Sequence, residues 1–118
     1  MSKTFGSYVR KRREELLKGS PDYSVRKLAR QIGVQPSYVS KVERDEMPPP
    51  SEATVVRLAE ALHEDPDVLL ALAGKVSADL RQVILQRPKL FADLIRQLKD
   101  APDHALLRVV REVRDGNW

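Results

Sequence analysis

Apolar residues recur at intervals of three and four along nearly the whole chain, and no segment sustains the alternation of a half-buried strand. The first such pattern runs from about Phe5 to Lys18, with Phe5, Val9 and Leu16 or Leu17 facing inward, and Gly19-Ser20-Pro21-Asp22 ends it with turn chemistry. Ser24 fits the N-cap of a second helix, Val25–Ile32, whose Leu28, Ala29 and Ile32 form a buried stripe. Gly33 stands where a helix C-terminus needs a left-handed residue. Pro36 fits the first turn of a third helix, about Pro36–Arg44, where its missing N–H costs nothing. After the stiff Met47-Pro48-Pro49-Pro50 connection, Ser51 is placed to cap a fourth helix, Glu52–Leu62, burying Val55, Leu58, Ala59 and Leu62. Asp65-Pro66 opens a fifth, Pro66–Ala73, closed by Gly74. Three more helices follow: Ala78–Gln86 capped by Ser77, Pro88–Lys99, and Ala101–Asp115 capped by Asp100. The Arg87-Pro88 step separates the first two, because a residue before proline avoids helical geometry. The pattern predicts an all-α chain, with a five-helix domain over residues 1–74 and a shorter helical region over residues 75–118.

Composition narrows the chemistry. The 118 residues are 42% hydrophobic and 32% charged, enough for one core under a strongly solvated surface. Cysteine is absent, which excludes a disulfide scaffold, a thiolate zinc site and a thiol nucleophile together. The two histidines, His63 and His104, leave little for acid–base work, and His63-Glu64-Asp65 at a helix end is not read as a metal site. No metal and no other cofactor is expected. The longest apolar run, Val68–Gly74, is far short of a membrane span, and Lys3 through Val9 does not look like a signal peptide. A soluble, cytoplasmic protein is the expectation.

Charge is segregated more than the net value of +4 suggests. Residues 1–44 carry eleven Lys or Arg against four Asp or Glu, residues 45–74 one against seven, and residues 75–118 nine against six. A basic first third followed by an acidic stretch implies one side that faces a polyanion, backed by a neutralising one.

The informative stretch is Ser24–Glu43. Two short helices meet steeply there, with small Ala29 at the crossing and Gly33 at the reversal. Val34, Val39 and Val42 anchor the second of them to the core, which turns Gln35, Ser37, Tyr38 and Lys41 outward. That strip is short, polar and basic, as an element entering a DNA major groove needs to be.

Here the chain resembles the helix-turn-helix regulators of the lambda- and 434-type phage-repressor family. The residues that carry the resemblance are Ser24-Val25-Arg26-Lys27-Leu28-Ala29, Ile32-Gly33-Val34, Tyr38 through Arg44, Pro50-Ser51, Leu58 through Leu62 and Val68-Leu69-Leu70. The likeness covers residues 4–74 and implies a five-helix, lambda-repressor-like DNA-binding domain. It also implies an ion pair between Arg13 and Glu43. Three departures stand out: Gln35-Pro36 where the family often has hydroxyl and polar residues, a longer joint over Lys18–Tyr23, and Asp45 where it commonly has glycine. With Pro36 unable to read a base, the reading contacts are expected from Gln35, Ser37 and Lys41. Ser24, Arg26, Lys27, Tyr38, Ser40 and Arg44 are expected to hold the DNA backbone. Of the run Arg10–Arg13, one residue could touch a phosphate.

These residues imply a sequence-specific regulator of transcription that binds double-stranded DNA, most simply a repressor acting as a homodimer on a two-fold site. The alternative is an antitoxin whose C-terminal helices neutralise a toxin protein while the helix-turn-helix autoregulates the operon. An enzyme is not expected, since no nucleophile arrangement, glycine-rich phosphate loop or metal spacing occurs. The resemblance also admits RNA polymerase as a partner of the acidic stretch and a metallopeptidase acting on the C-terminal region; no membrane partner is implied. In that region Leu80, Val83 and Ile84 form one apolar stripe, and Leu90, Phe91, Leu94, Ile95 and Leu98 a wider one. Leu106, Val109, Val110 and Val113 form a third. Leu90, Phe91, Leu94, Leu98, Leu106, Val110 and Val113 are the expected dimer or partner surface.

Overall fold

A computed structural model describes residues 4–116 and 118. It is all-helical, with no strand among the described residues. The order is α1 (Phe5–Leu17), a 3-10 turn (Pro21–Tyr23), α2 (Val25–Ile32), α3 (Pro36–Glu43), α4 (Glu52–Ala61), α5 (Pro66–Leu72), α6 (Ala78–Gln86), α7 (Pro88–Leu98) and α8 (Asp103–Asp115). Two compact units result, one ending at Ser77 and the other running from Ala78.

In the first unit, α1 starts with a reciprocal cap. Thr4 Oγ1 accepts from the Ser7 amide, and Ser7 Oγ accepts from the Thr4 amide. The buried face of α1 is Phe5, Gly6, Val9 and Arg13; Leu16 packs at the core's edge and Leu17 is exposed. The long joint to α2 is not loose chain but a 3-10 turn, with Ser20 accepting from the Asp22 amide and Pro21 leading it. Leu28, Ala29, Val55, Leu62 and Leu69 are fully buried, and Val9, Leu70 and Leu58 nearly so. Together these side chains form one core shared by α1 to α5.

Helix ends follow the caps in most places. Gly33 closes α2 at φ 76°, with the Val34 amide reaching back to the Ala29 carbonyl at 3.0 Å. Asp65 accepts from the Asp67 amide and caps α5, and Gly74, at φ 75°, follows its end. Ser51 departs from expectation: it holds the N-cap position but makes no side-chain cap bond, and its hydroxyl donates to Thr54 Oγ1 at 3.2 Å. Asp45 and His63 both sit in the left-handed region, at φ 60° and 57°. Each reverses the chain after a helix, and the next amide bonds back to the last turn (Glu46 to Lys41 at 2.8 Å, Glu64 to Ala59 at 2.9 Å).

In the second unit, Arg87 at φ −141°, ψ 61° breaks α6 from α7, as the proline after it requires. The start of α8 is a correction. The chain enters helix at Asp103, not at Ala101 under an Asp100 cap, and extended Pro102 takes the N-cap position. Pro102 imposes on Ala101 the same avoidance of helical geometry that Pro88 imposes on Arg87. No described residue of α6, α7 or α8 is buried. Phe91, Leu98 and Leu106 are half-buried, while Leu90, Leu94, Val110 and Val113 are exposed.

Candidate nucleic-acid interface

The placement of α3 is set by three attachments. Its inner face is apolar: Val39 and Val42 are buried beside Leu28, Ala29 and Ile32 of α2. Its last residue, Glu43, is tied to α1 through a two-point ion pair, Arg13 Nε to Glu43 Oε2 at 2.7 Å and Arg13 Nη2 to Glu43 Oε1 at 2.9 Å. Both side chains are under one-tenth exposed. The remaining guanidinium nitrogen, Nη1, donates to the Tyr23 carbonyl at 3.2 Å and so ties in the 3-10 turn. The charge-assisted bonds to Glu43 raise the Arg13 pKa above its ordinary value despite burial, so the guanidinium is locked in its charged form.

The third attachment is a close approach. Gly6 of α1 lies against the C-terminal turn of α3, where a Cβ would run into the Val42 carbonyl oxygen and come within 2.6 Å of Asp45 Oδ1. Thr4 Oγ1 closes the contact by donating to Asp45 Oδ2 at 2.9 Å. Sequence reasoning missed this junction. A glycine near a helix start and an aspartate after a helix each look ordinary until the two are brought together.

Outside this anchorage, Gln35, Ser37 and Lys41 are exposed. None of the three makes a side-chain hydrogen bond or ion pair among the described residues. Gln35 is the N-cap residue of α3 yet leaves its amide uncommitted, and Pro36 fills the first turn. Tyr38 is half-buried, its ring packed against the core cluster, and Ser40 is half-buried too.

At the start of α2, Ser24 Oγ accepts from the Lys27 amide at 3.2 Å, which leaves the first amides of the helix without intrahelical acceptors. Arg26 is exposed and makes no ion pair among the described residues. Two of the expected backbone-binding cations are engaged within the chain: Lys27 Nζ with Asp22 Oδ1 at 3.3 Å, and Arg44 Nη2 with Glu46 Oε2 at 2.9 Å. The latter bond raises the Arg44 pKa and holds the Glu46 carboxyl below the usual carboxylate range.

Four supporting contacts also lay outside the sequence reading. Arg57 Nε donates to the Ile32 carbonyl at 3.2 Å and satisfies the last turn of α2. Arg12 Nε donates to the Leu62 carbonyl at 3.0 Å and pairs with Glu64 at 3.2 Å. The Tyr23 hydroxyl meets His63 Nε2 at 2.9 Å. None of these contacts involves Gln35, Ser37 or Lys41 of the outward strip.

No helix among the described residues is long and apolar enough to cross a membrane. No curated protein and no solved structure matches the chain. A family model for the helix-turn-helix domain does, over residues 4–72, the span that holds α1 to α5. With α2 and α3 joined at the left-handed Gly33 and α3 anchored on its inner face, this chain belongs to the helix-turn-helix domain family.

Proposed function

We propose that the chain is a sequence-specific DNA-binding regulator of transcription, a repressor that binds a two-fold operator as a homodimer. The observation that carries the reading is the outer face of α3, where exposed Gln35, Ser37 and Lys41 are uncommitted on a helix held by buried valines and a buried ion pair. Lysine suits guanine acceptors and glutamine suits adenine in the major groove. Ser24, Arg26, Lys27, Tyr38, Ser40 and Arg44 flank that strip and supply the phosphate contacts that set register. Residues 1–74 form the DNA-reading part, and residues 75–118 supply pairing through Leu90, Phe91, Leu94, Leu98, Leu106, Val110 and Val113.

Selecting bound sites from a random DNA pool tests specificity, symmetry and half-site spacing together. Inverted half-sites about 34 Å apart are expected; a pool that returns no consensus refutes the reading. Light scattering on the full chain and on residues 1–77 tests the pairing: a full-length monomer refutes it.

A second reading, an antitoxin, shares the DNA-binding half but covers the second unit with a different protein. The apolar faces of α6 to α8 are what favours it. Co-purification of the native chain with a stoichiometric foreign protein would select this reading over the homodimer.

A further inference from the structure

A cleft of about 170 Å³ opens where α1 meets the α2–α3 pair, lined by Arg10, Arg13, Val25, Ser40, Glu43 and Arg44. The Arg13–Glu43 pair is internally neutral, so the charge the cleft offers an incoming group is that of Arg10 and Arg44. Neither guanidinium is idle. Arg10 Nε donates to Glu14 Oε1 at 2.8 Å, one turn along α1, and Arg44 holds Glu46. All four of these side chains are half exposed or more, so the pairs exchange readily and contribute little to stability. Ser40 adds a hydroxyl that has no side-chain partner among the described residues, and Val25, the first residue of α2, lines the rim. The cleft is open to solvent and roomy enough for one tetrahedral oxyanion. Ser40 and Arg44 flank Lys41 in the chain, which puts the cleft next to the reading face.

We propose that this cleft is a phosphate clamp, in which Arg10 and Arg44 leave Glu14 and Glu46 to close on one DNA backbone phosphate, with Ser40 donating from the wall. The proposal rests on the DNA-binding reading and assigns it a further residue, Arg10, together with a built-in restraint. Glu14 and Glu46 compete with the phosphate for the same two guanidiniums. They lower the affinity for every DNA sequence equally, so overall occupancy falls while the ratio between sites set by Gln35, Ser37 and Lys41 is unchanged.

The test is a fluorescence-anisotropy titration of the full chain on its selected site and on a scrambled duplex over a range of salt. Arg10→Ala is expected to weaken both duplexes by the same factor and to reduce the log–log salt slope by about 0.9, the value of one phosphate contact. The double variant Glu14→Gln/Glu46→Gln is expected to tighten both duplexes equally, and adding Arg10→Ala to it should remove the gain due to Glu14. All three positions are on the exposed surface, so the fold tolerates the changes. A wild-type chain that binds while Arg10→Ala leaves affinity and slope unchanged overturns the clamp alone. A double variant that binds no tighter overturns the restraint and the proposal with it. A wild-type chain that binds neither duplex overturns the DNA-binding reading itself. Inorganic phosphate is the second probe, followed by the amide shifts of Val25 and Arg26. If it saturates the cleft while Arg10→Ala binds DNA as the wild type does, the site belongs to a free anion and the clamp is refuted.

Discussion

Replacing Glu43 by Gln is the sharpest probe of how α3 is held. The carboxylate accepts two guanidinium bonds, at 2.7 and 2.9 Å, from an Arg13 that is itself 7% exposed. The amide removes the negative charge, so one positive charge stays buried with only the Tyr23 carbonyl and a weaker acceptor for company. Breaking a buried pair from one side typically costs about 3–5 kcal/mol, and the residual amide contact places this variant near the lower end, at roughly 3 kcal/mol. For a domain of this size each kcal/mol moves the melting temperature by about 4–8 °C. Urea unfolding of residues 1–77, followed by circular dichroism, should show a lowered midpoint with an unchanged slope. Arg13→Met/Glu43→Leu should cost less than either single change, because well-packed apolar replacements avoid the stranded charge. If Glu43→Gln unfolds within about 1 kcal/mol of the wild type, or if the double change is the worst of the set, burial of the pair is not what fastens α3.

Gly6→Ala should destabilise the first unit by about 2 kcal/mol, measured the same way, since overpacking against rigid backbone outweighs the alanine's gain in helix propensity. Lys41→Ala and Gln35→Ala should each cost about 1–3 kcal/mol at the selected site and relax the preference there, whereas Arg26→Ala should weaken all duplexes alike; site selection with each variant separates the two behaviours. The carboxyls of Glu14 and Glu46 both titrate below the usual range because Arg10 and Arg44 hold them ionised. Their small contribution is therefore complete above the ordinary carboxylate pKa and lost as pH falls through the depressed one. In a carbon-detected NMR titration, Arg10→Ala should return Glu14, but not Glu46, to an ordinary midpoint.

The first five helices were legible because their boundaries are written in local chemistry. Ser24, Gly33, Pro36 and Asp65 act within one turn of where they stand, so sequence alone places them. Ala101 shows the same rule left unapplied, since the reasoning that breaks the chain at Arg87 also forbids helix there. The Arg44–Glu46 pair could not be read at all. Residues two apart do not meet on a helix, and these meet only because α3 ends at Glu43 and Asp45 turns left-handed. Likewise, Gly6 matters only because α3 returns to it. The caps were legible from single residues, the Arg13–Glu43 pair only through the family resemblance, and the contacts that depend on where α3 ends and returns were not.

The helices of residues 78–118 have a consequence for how stability is defined in this chain. They are 9, 11 and 13 residues long and bury no described side chain. Isolated helices shorter than about 12–15 residues are marginal in water, because each pays the cost of nucleation for few propagating bonds. Their helicity is then governed by whatever covers them. If that cover is a second copy, the second unit has no fixed melting temperature of its own: its transition moves with protein concentration, while that of residues 1–77, which carry a complete core, stays where it is. In that case copy number is a folding variable, and a dilute chain carries the same outer face of α3 as a concentrated one on a tail that has not yet formed.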